Sequence, residues 1–404
     1  MNIHYFLLDK VVESPHGILG VERWDPRSTH PQVWNVDNLL THFDDFSYSN
    51  FYNIKNIGML PAAAYKFIIN FIHLPNTAKF AVSKEAVTLL QQDPSVFLVL
   101  FSTLECVIDE VMLNEQIQKF NIPLHKVICL TSNLESSGKV LNGIQYHAIN
   151  FWESYSRFHH RLQPTVSIEN AETKKATLQT AQKKFLSLNR NLKPHRIWWM
   201  YAMIKADVLE DGHISYHLPA LDSRAHKTLG MHDNTTKYIP ESLHKDFKHT
   251  LLTQMFPRRL DVIDKHHIIQ YQDFSKFWQD SCVSFITESD HRRNFLTEKT
   301  FKAIANLHPF FIIGNPDQHA LLRQRGYYTF EKLFGIDQVT NYKEAMQVLK
   351  QVKAMKLDNL KRLIDREYMD KLLHNQNLFF NRKISWKLIQ EELIKYADKS
   401  NERI

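Results

Sequence analysis

The chain has 404 residues, of which 44% are hydrophobic and 23% charged, with a formal net charge of +7 at pH 7. That composition argues against disorder, and the length points to two domains rather than one core. Three cysteines without CxxC spacing argue against a disulfide framework or a structural zinc site, and ten glycines with no GxGxxG or GxxxxGK[ST] stretch argue against a glycine-rich dinucleotide or P-loop fold.

The small basic excess fits a nucleic acid, an anionic membrane surface, a phosphorylated substrate, or solubility alone. The opening MNIHYFLLDKVVESP has too short an apolar run for a signal peptide, and no stretch reaches 18 uninterrupted apolar residues. A cytoplasmic protein without membrane spans is the expectation.

The first 80 residues are mixed and aromatic-rich and give no clear elements. KFAVSKEAVTLLQQ (79–92) reads as a short strand and a helix. VFLVLFS (96–102), KVICLTSN (126–133) and YHAINFW (146–152) read as strands, with VIDEVMLNEQIQKF (107–120) as a helix between the first two. Apolar runs alternating with helices predict a parallel sheet covered on both faces. Cys106 and Cys129 lie in apolar surroundings and read as buried thiols.

The polar stretch 161–184 reads as a crossing between domains. FLSLN (185–189) opens a second series: helix HRIWWMYAMIKADVLE, strand HISYHL, a long polar segment 222–279 that is helical in parts, and strand CVSFITES (282–289). Helix TEKTFKAIAN, strand PFFIIGN (309–315) and a helix closed by Gly326 follow, and the pattern is helical from Tyr342 onward. The expected organisation is a first α/β domain at 1–160, the crossing at 161–184, a second α/β domain at 185–345 and a helical segment at 346–404.

Two turns carry chemistry. In SLNRNLKPHR, Arg190, Lys193, His195 and Arg196 stand where a strand ends and a helix begins, with Pro194 suited to the first turn. A helix N-terminus already carries free N–H groups and partial positive charge, so added cations are costly unless an anion binds. A phosphate or diphosphate would explain them; pairing with carboxylates or pointing to solvent is the alternative. In the second turn Arg292 and Arg293 precede Thr297, an N-cap, and Glu298 and Lys299 fill the first helical turn. Glu298 suits a pair of sugar hydroxyls, or serves only as a partner for the helix dipole. Lys299 suits phosphate, and Glu288 ends the preceding strand nearby.

The segment FITES…NFLTEKTFKAIANLHPFFIIGN resembles the donor-binding segment of fucosyltransferase-like glycosyltransferases. Combined with an N-R-x-x-x-x-HR turn and with LLRQRGYYTF (Leu322, Arg323, Gly326, Thr329, Phe330), it also resembles a broader group of bacterial and phage glycosyltransferase-like proteins. The resemblance covers 185–330. It implies a GT-B-like α/β fold: two Rossmann-like domains facing a central cleft, with a helical C-terminal segment. The nucleotide-sugar donor would sit on the second domain and the acceptor on the first, with no metal or other cofactor. It places Glu288, Glu298 and Lys299 on the donor and Arg190 and Arg196 at its phosphates. Lys193, His195, Arg293 and Thr297 complete the donor-binding set. The chain departs from the family pattern at GIDQVTNY, which offers Asp337 in place of an acid-rich run.

Transfer to a hydroxyl needs positive charge for the departing phosphate, which the two turns can supply, and a base. Candidate bases on the first domain are Glu105, Asp109 and Glu135, each of which also reads as an ordinary surface or capping acid. Asp44–Asp45 and the pairs His159–His160 and His266–His267 lack further ligands for a metal, and Trp198 and Trp199 read as core. The expected function is metal-independent transfer of a sugar to a bacterial surface glycan, capsule or lipopolysaccharide. Alternatives are a phage-type DNA-base transferase, ranked lower because the basic residues are dispersed, and a non-catalytic nucleotide- or glycan-binding module. Basic C-terminal helices are compatible with peripheral contact on the inner face of a membrane.

Overall fold

A computed structural model describes residues 5–8, 45, 51–61, 64–72, 80, 82–102, 110–162, 170–189, 193–216, 234–254, 275–289, 294–383 and 385–402. The chain divides into two compact units, Met1–Tyr155 with Lys383–Ile404, and Ser156–Arg382. The division falls inside the helix Phe151–Leu162.

The first unit is built on β1 (Tyr5–Leu8), β2 (Phe51–Asn53), β3 (Lys66–Phe71), β4 (Val96–Ser102), β5 (Val127–Thr131), β6 (Val140–Leu141) and β7 (Ile144–Ala148), in the order β2-β1-β3-β4-β5-β7-β6. All pairings are parallel except the short β6–β7 hairpin. Alternate side chains of β4 serve opposite faces, as strand geometry requires. Val96, Leu98 and Leu100 join the core that includes Ala86 and Leu90 of helix Lys84–Gln92 and Leu113 and Ile117 of helix Glu110–Lys119. Phe97, Val99 and Phe101 face Trp386, Ile389, Leu393 and Ala397 of helix Trp386–Asn401. This sheet is therefore buried on both sides, which is why its middle strands are apolar throughout.

The second unit holds β8 (Lys183–Asn189), β9 (Gly212–Tyr216), β10 (Ser281–Thr287) and β11 (Phe310–Ile313), in the order β11-β10-β8-β9, all parallel. The ring of Phe285 lies 5.1 Å from Trp199, 5.3 Å from Phe334 and 5.4 Å from Phe185. Trp198 and Trp199 are both fully buried, as core residues of helix Pro194–Ala206. Gly212 is required by packing: a Cβ there would meet the Phe185 ring at 2.3 Å. Helix Glu298–Ala305 stacks Phe301 on Phe379 of helix Met369–Asn381, ring centroids 5.8 Å apart.

The α/β class with two parallel sheets and a helical C-terminal region is as the pattern predicts. Several elements differ. The strand expected over 146–152 ends at Ala148, and Phe151 begins a helix in which Phe151 stacks on Tyr155 and Trp152 meets the same ring edge-on. No strand precedes helix Lys84–Gln92 at the described residues 80 and 82; Ser83 instead caps that helix by accepting from the Ala86 N–H at 3.1 Å. The polar stretch 161–184 contains helix Ala171–Thr180, capped by Asn170, and the start of β8. The described residues among the first 80 contribute β1, β2 and β3 to the first sheet. Beyond residue 346 the helices up to Arg382 belong to the second unit, and Trp386–Asn401 belongs to the first.

The LLRQRGYYTF segment is a brace in the second unit. Gly326 takes φ +85° just past helix Asp317–Gln324, a conformation glycine adopts without strain. Arg323 donates to Thr329 Oγ1 at 3.1 Å and pairs with Glu331. His319 accepts the Ile312 N–H at Nε2 (2.9 Å), which leaves the proton on Nδ1, 3.2 Å from the same Glu331 carboxylate. Burial works to raise the Glu331 pKa, but the proximity of His319, with Thr329 and its own backbone N–H, wins and holds it down at about 2.

Candidate functional site

The two cationic turns meet at the carboxyl end of β10. Helix Pro194–Ala206 begins with proline in its first turn, and the Lys193 carbonyl accepts the N–H groups of Arg196 and Ile197 at 3.0 and 3.1 Å. Helix Glu298–Ala305 begins at Thr297, whose hydroxyl accepts the Lys299 N–H at 3.4 Å. Parallel pairing of β8 with β10 puts both helix starts at the same edge. There, Thr287 Oγ1 donates to Asn189 Oδ1, tying the two strand ends together.

The first turn closes over the backbone of β10. His195 is fully buried, its Nε2 2.8 Å from the Glu288 carbonyl oxygen. Arg196 is 3% exposed and donates through Nη2 to the carbonyls of Thr287 (3.2 Å) and Glu288 (3.3 Å). Lys193, half-buried, donates to the Ser289 carbonyl. These side chains satisfy carbonyl groups where β10 leaves the sheet, a need that any buried strand end must meet.

The second turn is organised by Glu288, which is fully buried. Oε1 accepts the Thr297 N–H at 3.0 Å and the Thr300 hydroxyl at 2.6 Å, and Oε2 accepts the Thr297 hydroxyl. A carboxylate at a helix N-terminus is also favoured by the helix dipole. The ammonium of Lys299 then sits among Glu298 Oε1 (2.8 Å), Thr297 Oγ1 (3.1 Å) and Ser289 Oγ (3.2 Å).

Burial works to raise the Glu298 pKa, yet the charges of Lys299 and Lys302 and the Lys299 hydrogen bond hold it below the ordinary carboxylate value. Lys302, one helical turn on, is pulled down to about 8 by burial, against the opposing pull of Glu298. Lys299 keeps 28% of its side chain exposed and Glu298 8%. The rim of the site is thus one lysine from each turn, both on Ser289, beside a nearly buried glutamate.

The structure brings together Lys193, His195, Arg196, Glu288, Thr297, Glu298 and Lys299. Arg190, Arg292, Arg293, Glu105, Asp109, Asp44, Cys106 and the His266–His267 pair lie outside the described residues. Glu135 is exposed in the turn Leu134–Ser136, its N–H 3.3 Å from Asn133 Oδ1. Asp337 lies after helix Glu331–Phe334. Cys129 and Cys282 are fully buried. Ser289 and Thr300 were not among the expected site residues, and Ser-Asp after Glu288 carries no distinguishing signal. Among the described residues no His, Cys, Asp or Glu side chains group as metal ligands, and no helix is long and apolar enough to cross a membrane.

No family model matches the sequence, and no curated protein matches it. Solved structures give low-identity similarities. One is a UDP-forming α,α-trehalose-phosphate synthase from Burkholderia vietnamiensis, with TM-score 0.40 and 12% identity over 85% of this chain and 73% of that one. Another is the N-terminal domain of Candida albicans trehalose-6-phosphate phosphatase, with TM-score 0.40 and 10% identity over 85% and 74%. A third is an E. coli trehalose-6-phosphate protein bound with UDP-2-fluoro glucose, with TM-score 0.37 and 10% identity over 86% and 74%. These similarities are too slight to carry a residue role or a substrate to this chain.

Proposed function

We propose that the second unit binds a nucleotide-sugar donor and that the protein is a glycosyltransferase of the GT-B kind, moving a sugar to a hydroxyl of a bacterial surface glycan without a metal. The observation that supports this reading most is the convergence of Lys193 and Lys299, from two different turns, on Ser289 at the end of a parallel strand. Two ammonium groups drawn to one serine repel each other, and an anion between them relieves that repulsion. Glu298 beside them offers an acceptor for a sugar diol. The departing phosphate would gain its charge stabilisation from Lys193 and Lys299, fixed in advance by Ser289 and Thr297. The acceptor hydroxyl requires a base; Glu135 is the described candidate on the first unit.

The test is thermal melting with UDP, GDP, CMP, dTDP and ADP, each with and without magnesium. A nucleotide that binds the folded state alone raises the melting temperature with its occupancy. One base should give a clear shift, equal with and without magnesium and much reduced in Lys299→Ala. No shift with any of the five would sink the donor-site reading.

A further inference from the structure

We infer that Glu288 is the positioning residue of this site: it contacts no donor but sets where Lys299 stands relative to the first turn. The inference rests on the donor-site reading above. Residue 288, like Ser289 at the rim, is touched by both turns, and it alone of the two is fully buried. Its backbone carbonyl accepts from His195 and Arg196, and its carboxylate accepts from Thr297 and Thr300. Both carboxylate oxygens are engaged inside the fold, and the side chain is fully buried, so a ligand at the rim has no approach to it.

The consequence passes through one hydroxyl. Thr297 donates its proton to Glu288 Oε2, which turns its lone pairs toward the backbone N–H and the ammonium of Lys299. A hydroxyl has one proton to give, so Glu288 decides which way Thr297 Oγ1 points. Glutamine at 288 would offer an NH2 donor toward Thr297 or Thr300. The Thr297 hydroxyl would then become an acceptor for that donor, and its hold on Lys299 would be lost. The backbone carbonyl clasp of the first turn would be untouched, so Lys193 would keep its place.

The separation of the two halves makes the inference testable by double-mutant cycles on the full chain. Affinity is measured by titration calorimetry for UDP, GDP, CMP, dTDP and ADP, with near- and far-UV circular dichroism as a check on the fold. Glu288→Gln should weaken the nucleotide that binds the wild type about tenfold, the scale of one charge-assisted contact. In a Lys299→Ala background the same change should cost less than about twofold, because it acts through Lys299. In a Lys193→Ala background the two losses should multiply. Thr300→Val removes one strut without adding a donor. Should the glutamine variant fail to fold, Thr300→Val should show a smaller loss with the same dependence on Lys299.

An unchanged affinity in Glu288→Gln or Thr300→Val overturns the positioning role while leaving the donor site standing. So does an equal loss in all backgrounds, which is the mark of general loosening. A wild type that binds none of the five nucleotides overturns the donor site, and the positioning role falls with it.

Discussion

The turn at Lys193–Arg196 and the turn at Thr297–Lys299 look alike in sequence, since each sets cations where a strand gives way to a helix. In the structure they do different work. The first spends His195 and Arg196 on the carbonyls of Thr287 and Glu288, deep in the protein. The second leaves Lys299 at the rim, with Glu298 beside it and a buried acid behind. A cation count at a helix start does not distinguish a ligand contact from a backbone clasp. Depth and partner do.

The contrast can be broken by substitution. Arg196→Ala should cost the most, about 3 kcal/mol, because it empties a buried site and strips two strand-end carbonyls of a charged donor. Thermal or urea unfolding would read it, and a loss under 0.5 kcal/mol would place Arg196 with Lys299 as a rim residue. A second comparison is with Glu331, a carboxylate locked by the LLRQRGYYTF brace. Its pKa lies near 2 rather than at 4.5, so the unfolded chain takes up the proton first as pH falls. The stability it contributes is complete above pH 4.5 and drains away as pH falls toward 2, on the order of 2 kcal/mol after allowance for solvent screening. Glu331→Gln should flatten the stability-versus-pH curve in that window. A slope identical to wild type would show that other acids carry it.

Thr297→Ala removes the cap of the second turn and should cost about 1 kcal/mol. Lys299→Ala should change stability least, by less than about 0.5 kcal/mol, since its pair with Glu298 is partly solvated. It should still abolish most nucleotide affinity. A melting point that falls as far for Lys299→Ala as for Arg196→Ala would erase the distinction between the turns.

What could be read beforehand follows from locality. The strands β4, β5 and β10 are continuous apolar runs, and such runs declare themselves. Pro194 and the Thr297 cap act on neighbours within three residues, so the residue type alone announces them. β3, with its KFIINF, is a similar run, but the aromatic residues around it blur its edges. The partners of Arg196 lie 91 and 92 residues away along the chain, and no local pattern can name them. The inward aim of Glu288 was hidden for a different reason. An acid after a strand looks the same whether it faces a ligand or two threonines.

The helix Trp386–Asn401 covers one face of the first sheet, yet the whole second unit separates it from the other elements of that sheet in the chain. During synthesis the aromatic side of Phe6, Phe67, Phe97 and Phe101 therefore emerges uncovered and stays so until residues beyond 386 have been made. The second unit is complete by then and is able to fold ahead of the first, reversing the usual order of emergence. A chain interrupted anywhere between 156 and 385 would carry a finished strand ladder with a bare apolar face, and chaperones would be its natural guardians.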